Sequence, residues 1–197
     1  MSSIQRQIRF ESDRDPGFAD EIRAMPGCEL IDRCIQCATC SGVCPVSTYM
    51  ELTPRRIIEL TRNGFKQDVL NANTIWICTS CYECQVECPK EIGITDVMYA
   101  LKTKAIQAGV EPKHLGPPVL FKEFYNMVRK TGRMSETQLA VRSFIKSNPM
   151  QMWGMKWLGL RLLKTGRFSV KLEHMPKPSV LHTALDHADR IDGRRAK

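Results

Sequence analysis

Eight of the nine cysteines in this 197-residue chain fall into two runs, Cys34-Ile-Gln-Cys37-Ala-Thr-Cys40-Ser-Gly-Val-Cys44-Pro45 and Cys78-Thr-Ser-Cys81-Tyr-Glu-Cys84-Gln-Val-Glu-Cys88-Pro89. Each reads C-x2-C-x2-C-x3-C-P, a spacing suited to thiolate ligation of a 4Fe-4S cubane. Three cysteines at two-residue intervals let one tight loop wrap three corners, and the fourth, followed by proline, is thrown across to the other cluster. The expected ligand sets are therefore Cys34, Cys37, Cys40 and Cys88 for one cluster and Cys78, Cys81, Cys84 and Cys44 for the second. Crossed ligation would staple two distant segments together and make folding depend on metal.

Two other thiol chemistries compete. A structural zinc site closes at four ligands, and a four-cysteine run followed by proline and then repeated is an unusual zinc spacing. Disulfides imply a secreted scaffold, whereas the N-terminus MSSIQRQIRF is polar and has no apolar signal core. A reducing, cytoplasmic setting fits better. Cys28, outside both runs, reads as a small buried hydrophobe.

No apolar run approaches the ~18 to 20 residues that span a bilayer, and 43% hydrophobic content is ordinary for a soluble protein. The net charge of +8 is unevenly spread: residues 1–112 carry 12 Lys and Arg against 15 Asp and Glu, residues 113–197 carry 17 against 6. An oxidised cubane with four thiolates adds about −2. An acidic, electron-carrying half is thus followed by a basic half suited to docking on something acidic.

The elements that must position these thiols read as helices. After a loose polar start over 1–17, Phe18, Ile22 and Met25 fall on one face of a short helix ended by Pro26-Gly27. Thr53 as N-cap, Pro54 at the first helical position and Gly64 as stop predict a helix over 54–63, and a further stretch over about 66–72 precedes Ile75-Trp76-Ile77. Trp76 reads as cluster shielding in preference to an electron wire. Thr95 or Asp96 caps a helix closed by Gly109. The two halves repeat one pattern: cysteine run, proline, linker, helix. No pair of alternating apolar strands is present, which argues against a small β-rich plan.

Pro112 and Pro117-Pro118 mark a boundary. Helices are expected over 119–129, from Ser135 with Gln138 as a capping box to about Lys146, and from Pro149 to about Lys164. In the last of these, Met150, Trp153, Trp157, Leu160 and Leu163 form a broad apolar face beside Lys156, Arg161 and Lys164. Packing on its own chain, docking in a partner's groove and lying on an acidic membrane surface are all consistent with it. Prolines and scattered charge from Met175 onward suggest an extended or disordered tail. The expected organisation is a polar arm and short helix over 1–27, a two-cluster domain over 28–112, a basic helical docking region over 113–174 and the tail over 175–197.

No G-x-G-x-x-G, no G-x-x-x-x-G-K-[ST] and no nucleophile constellation is present. His114, His174, His182 and His187 read as surface residues. With all eight motif cysteines allocated, neither cubane keeps an open iron, so the pair reads as a wire between redox centres elsewhere, a non-catalytic electron-transfer role.

The runs C-I-Q-C-A-T-C-S-G-V-C-P and IWIC, the helix PRRIIELTRNG and the basic Met/Trp/Leu helix make residues 28–168 resemble the small iron-sulfur C subunit of heterodisulfide reductase and its relatives in sulfur-oxidising bacteria. The resemblance implies a mainly α fold, an α-helical ferredoxin domain with two 4Fe-4S clusters held by the eight cysteines above and followed by the basic helical region. It also implies a partner subunit with cysteine-rich, CCG-type catalytic clusters and a flavin-containing subunit. This chain lacks the CCG motif, so it is not expected to make or break a disulfide by itself, and Ala38 stands where many relatives have glycine, a substitution read as sterically minor. The basic tail inclines the reading toward the bacterial form. An alternative is the iron-sulfur subunit of a glycolate, glycerol-3-phosphate or succinate-type flavin dehydrogenase, whose usual additional cysteine-rich domains residues 113–197 do not supply. A nucleic-acid partner is not expected, since it would need a basic face with interleaved aromatic residues.

Overall fold

The computed structural model describes residues 9–110, 112, 116–147, 149–166, 175 and 178–191. Among them there are helices and turns and no β-strand. The chain divides into two compact units, one within residues 1–111 and the other within 112–197.

In the first unit the helices are α1 (Phe18–Arg23), α2 (Thr39–Gly42), α3 (Pro54–Arg62), α4 (Lys66–Leu70), α5 (Thr74–Ile77), α6 (Glu83–Val86) and α7 (Ile94–Gln107). The two long helices, α3 and α7, each follow a cysteine run and pack on one another. Their apolar faces supply most of the core: Ile57, Ile58 and Leu60 from α3, and Ile94, Val97, Met98, Leu101 and Ala105 from α7. Burial of each large aliphatic side chain contributes about 1.5–3 kcal/mol, enough to fix how the two helices are rotated. Phe18 and Ile22 of α1, both fully buried, close one side against α3 and α7. Residues 9–17 are not loose. Arg9 pairs with Asp68, Arg14 donates from Nε to the Asn63 carbonyl at 2.7 Å, and Asp15 pairs with Lys66 at 3.1 Å. These contacts converge on the end of α3, where Gly64 takes φ +79; a Cβ there would lie 2.5 Å from the Asp15 carbonyl oxygen, so glycine is required twice over.

The start of α3 is as expected and that of α7 is not. Thr53 occupies the N-cap of α3 in an extended conformation, but its side chain makes no cap hydrogen bond. The N-cap of α7 is Gly93, which puts Thr95 and Asp96 inside the first turn. Steric packing selects the glycine: a Cβ on Gly93 would lie 2.2 Å from the carbonyl oxygen of Gly27.

The second unit contains α8 (Gly116–Thr131), α9 (Glu136–Ser147), α10 (Pro149–Gly154), α11 (Lys156–Lys164) and α12 (Pro178–Ile191). Pro117 and Pro118, expected at a boundary, stand in the first turn of α8, where a missing N–H costs no helical hydrogen bond. The helix expected over 149–164 is broken at Met155: Gly154 has little helical preference, and Met155 restarts the chain as the N-cap of α11. The tail expected to be extended instead forms α12 from 178 to 191, with Leu181 and Leu185 half-buried on the side that packs against α8. The parts of the expected tail at 176–177 and 192–197 lie outside the described residues.

Polar contacts hold α12. Arg129 of α8 pairs with Asp186 at 2.5 Å and Asp189 at 2.6 Å, the Tyr125 hydroxyl donates to Asp189 at 2.7 Å, and His182 Nε2 lies 2.7 Å from the Arg129 carbonyl. Hydrogen exchange on Arg129→Ala should therefore be several-fold faster across 178–191 and unchanged across 94–107. Equal protection of α12 in the variant would assign its docking to the apolar face alone.

Candidate functional site

Each cysteine run is entered from a short helical turn, residues 31–33 before Cys34 and α5 before Cys78. Within each run two residues between thiols take left-handed backbone: Gln36 (φ 60) and Ala38 (φ 70) in the first, Ser80 (φ 56) and Tyr82 (φ 65) in the second. For residues with a Cβ this conformation costs about 1–2 kcal/mol each, so the surrounding structure over-determines it. Alternating left-handed residues curl the chain until the first three thiols face one side. The short helices α2 and α6 then carry Cys40 and Cys84, pack against each other, and release Cys44-Pro45 and Cys88-Pro89 toward the opposite run. Ala38 is thus not a minor replacement for glycine, because the position demands φ > 0.

Two cavities result. Cys34, Cys37, Cys40 and Cys88 line the first, about 360 Å³ of empty space walled by Ile35, Ile58, Ile92 and Ile94 with Arg55 and Lys90. Cys44, Cys78, Cys81 and Cys84 line the second, about 350 Å³, walled by Val46, Met50, Pro54 and Met98 with Tyr82 and Thr95. In each, three thiols come from one run and the fourth from the other. Four thiols around an apolar hollow fit a cubane, whose four irons each take one thiolate and hold them well apart. A single zinc would instead draw its four sulfurs to ~2.3 Å from one point, and among the described residues no group of three His, Cys, Asp or Glu converges on one ion.

The groups around the thiols differ. Gln36 Nε2 donates to Cys34 Sγ at 3.3 Å, and Thr39 Oγ1 lies 3.4 Å from Cys37 Sγ. That hydroxyl, with the Thr39 backbone N–H, lowers the pKa of the exposed Cys37 thiol. Burial pushes Cys40 up to about 11 and also raises Cys44 and Cys84. The buried thiols must therefore lose protons as they take up metal. The carbonyl of the first cysteine in each run is capped by a cation eight residues into the following long helix: Arg62 Nη1 donates to Cys34 O at 2.9 Å, and Lys102 Nζ to Cys78 O at 3.3 Å. The sequence reading missed Arg55, Arg62, Lys90 and Lys102; aligning α3 with α7 from their first residues would have paired Arg62 with Lys102.

Trp76 is buried, yet it lines neither cavity, and its Nε1 has no hydrogen-bond partner among the described residues. The aliphatic and methionine walls named above take the shielding position expected of it. Cys28 is fully buried between α1 and the first run and lines neither cavity. His182 binds a backbone carbonyl, His187 is exposed, and His114 and His174 lie outside the described residues.

Residues 30–92 match the model of a 4Fe-4S dicluster domain. The C subunit of the H2:CoB-CoM heterodisulfide,ferredoxin reductase of Methanothermobacter marburgensis is 34% identical over 117 residues, 58% of this chain and 63% of the relative. The chain's curated homologues are heterodisulfide reductase C subunits. A second, the C subunit of the ferredoxin:CoB-CoM heterodisulfide reductase of Methanosarcina mazei, is 40% identical over 82 residues, 41% of this chain and 50% of the relative. An iron-sulfur C subunit of the CoB-CoM heterodisulfide reductase of Methanocaldococcus jannaschii is 37% identical over 79 residues, 40% of this chain and 42% of the relative. The matched part spans between about two fifths and just under two thirds of these relatives. The chain is a helical protein with a ferredoxin-like 4Fe-4S dicluster domain.

Burial raises the Cys28 thiol from the ordinary 9.0 to about 11, with Asp96 and Glu29 adding to it. Because the folded protein favours the neutral thiol, its contribution to stability is complete below pH 9 and is lost as pH rises through 11. Thermal unfolding of the native chain should lose stability across that window, and Cys28→Ser should lose less. Identical profiles would remove Cys28 as the titrating group.

Proposed function

We propose that this chain is the electron-transfer subunit of a heterodisulfide reductase-like complex, standing between a flavin-containing subunit and a catalytic subunit of the cysteine-rich CCG type. The observation that carries the reading is the sharing of four thiols per cavity between the two runs. Cys34, Cys37, Cys40 and Cys88 would hold one 4Fe-4S cluster, and Cys44, Cys78, Cys81 and Cys84 the other. When bound, such clusters take up and pass on single electrons. The rest belongs to the chain's own residues. Thiolates from both runs hold the two sites close together within one unit. Ile58, Ile92 and Ile94 on one side and Met50 and Met98 on the other exclude water, while the exposed Cys37 and Cys81 leave each site a face near the surface. The homologous C subunits support the same role, and their names supply the expected substrate class, a disulfide.

Docking falls to α10 and α11. Met150, Trp153, Trp157, Leu160 and Leu163 are each more than half exposed. On α11 the apolar residues Trp157, Leu158, Leu160 and Leu163 point to several sides, which suits enclosure in a protein cleft better than contact with a flat lipid surface. No Asp or Glu occurs between Glu136 and Glu173, so the receiving cleft is expected to be acidic. Among the described residues no helix is long and apolar enough to cross a membrane.

Two tests bear on these assignments. In anaerobically purified protein about eight iron and eight sulfide per chain are expected, and Cys88→Ser should lose the same EPR signal as Cys34→Ser although the two residues lie in different runs; loss of the Cys78 signal instead would reverse the crossing. Trp157→Asp should weaken co-purification of partner subunits at least about tenfold while leaving iron content intact, as for a desolvated aromatic anchor. Iron lost along with the partner would make α11 part of this chain's own core.

A further inference from the structure

The two cavities are pseudo-symmetric, and the departure from symmetry that bears on an added electron is one of charge. Aligning α3 with α7 from their first residues pairs Pro54 with Ile94, Arg55 with Thr95, Ile58 with Met98 and Arg62 with Lys102. The structure uses these pairs equivalently: Arg55, Ile58 and Ile94 line the first cavity, while Thr95, Met98 and Pro54 line the second. Aligning the cysteine runs pairs Gln36 with Ser80, Thr39 with Glu83 and, just past each proline, Val46 with Lys90. Again the equivalent residues line opposite cavities, Lys90 the first and Val46 the second.

Arg62 and Lys102 preserve the symmetry, each a cation on the carbonyl of the first cysteine. Arg55 with Thr95 and Lys90 with Val46 break it in one direction. The first cavity is walled by the cations Arg55 and Lys90; the second has Thr95 and Val46 in their places, and its lining residues carry no charged group apart from the thiols themselves. Arg55 is half-buried, with its Nη1 3.5 Å from Gln36 Oε1, and the same Gln36 amide donates to Cys34 Sγ. Positive charge is thereby relayed onto a thiol through one amide. The alignment puts neutral Thr39, bonded to Cys37, opposite the acidic Glu83. Glu87 and Glu91 flank the Cys88–Lys90 segment of the first cavity, but both are exposed and neither lines it, so water and salt screen them.

Adding an electron makes a thiolate-bound cluster more negative, so nearby cations and donors to sulfur favour the reduced form. We infer that the site built from Cys34, Cys37, Cys40 and Cys88 has the higher reduction potential, set chiefly by Arg55 acting through Gln36 and secondarily by Lys90. In a chain holding one electron, that electron resides at this site, and the downhill direction through the chain runs from the Cys44/Cys78/Cys81/Cys84 site toward it. The inference rests on the two-cluster reading above and deepens it. Each reduction step adds one electron from the external titrant to one site, with no bond made or broken. Arg55 and Lys90 are positioning residues: they act on the potential and are not ligands.

The test is an EPR-monitored redox titration of the full-length chain, loaded with iron and sulfide and kept anaerobic, with dithionite as reductant. The unmodified protein should reduce in two one-electron steps. Arg55→Thr, which installs the counterpart residue, should lower the upper step and move the lower one much less. Val46→Lys, the reciprocal change, should raise the lower step. Lys90→Val should shift the upper step in the same direction as Arg55→Thr but by less, and its effect should shrink at high salt. Should Arg55→Thr load poorly, the exposed Lys90 and the half-buried Val46 still decide the matter. The inference is overturned if, with iron and sulfide content intact, the substitutions in the first cavity shift the lower step or neither step. A protein that loads two cubanes yet gives that result leaves electron transfer standing and rejects only the asymmetry; one that holds no cubane rejects the reading beneath it.

Discussion

Each cavity takes three thiols from one cysteine run and its fourth from the other, and this exchange constrains everything else in the first unit. Cys88 reaches Cys34, Cys37 and Cys40 only if the two runs lie side by side, which is why α2 and α6 pack together. The chain leaving each run must then turn back so that the other can be built, and α3 and α7 make those returns. Their aliphatic faces form the core and, at Ile58, Ile94, Pro54 and Met98, the cavity walls as well. Core packing and site formation are one operation here. Metal-thiolate bonds would therefore contribute directly to folding free energy.

Features set by covalent spacing were legible from the amino-acid order, and those set by long-range packing were not. The cysteine intervals set Cys34, Cys37 and Cys40 on one loop and Cys78, Cys81 and Cys84 on another, and each trio lines one cavity. The ends of α3 were legible for a similar reason, since Pro54 and Gly64 impose backbone conformations. Thr95 or Asp96 as the start of α7 misled, because the close approach of Gly27 to Gly93 sets where that helix begins. Arg55, Arg62, Lys90 and Lys102 were invisible to a reading by residue type: a lone cation reads as solvated surface until the fold puts it against a carbonyl or a cavity wall. In the tail, prolines and mixed charge obscured the spacing of Leu181, Leu185 and Ala188, and the tertiary pairing of Asp186 and Asp189 with Arg129 lay beyond local sequence.

The two units achieve order by different means. The first buries a dense set of large aliphatic side chains. In the second, Met127 and Leu139 are the large apolar side chains buried among the described residues, and polar links such as Glu123 with Lys146 and Arg129 with α12 supply much of the definition. Its hydrophobic residues are instead held outward on α10 and α11, where the Lys156 ammonium sits over the rings of Trp153 and Trp157 at 5.6 and 6.0 Å. The formal charges of the two parts also differ in sign, 12 Lys and Arg against 15 Asp and Glu over residues 1–112 and 17 against 6 over 113–197.

The interlocked runs also govern how the protein would fail. If each site borrows a wall from its neighbour's loop, oxidation of one thiol slackens both loops, and injury at either site spreads to the other. A molecule struck at one thiol would lose that centre first and hold the remaining one less firmly. Oxidative injury would thus register as a loosened first unit, a form that proteolysis clears more readily than the intact one.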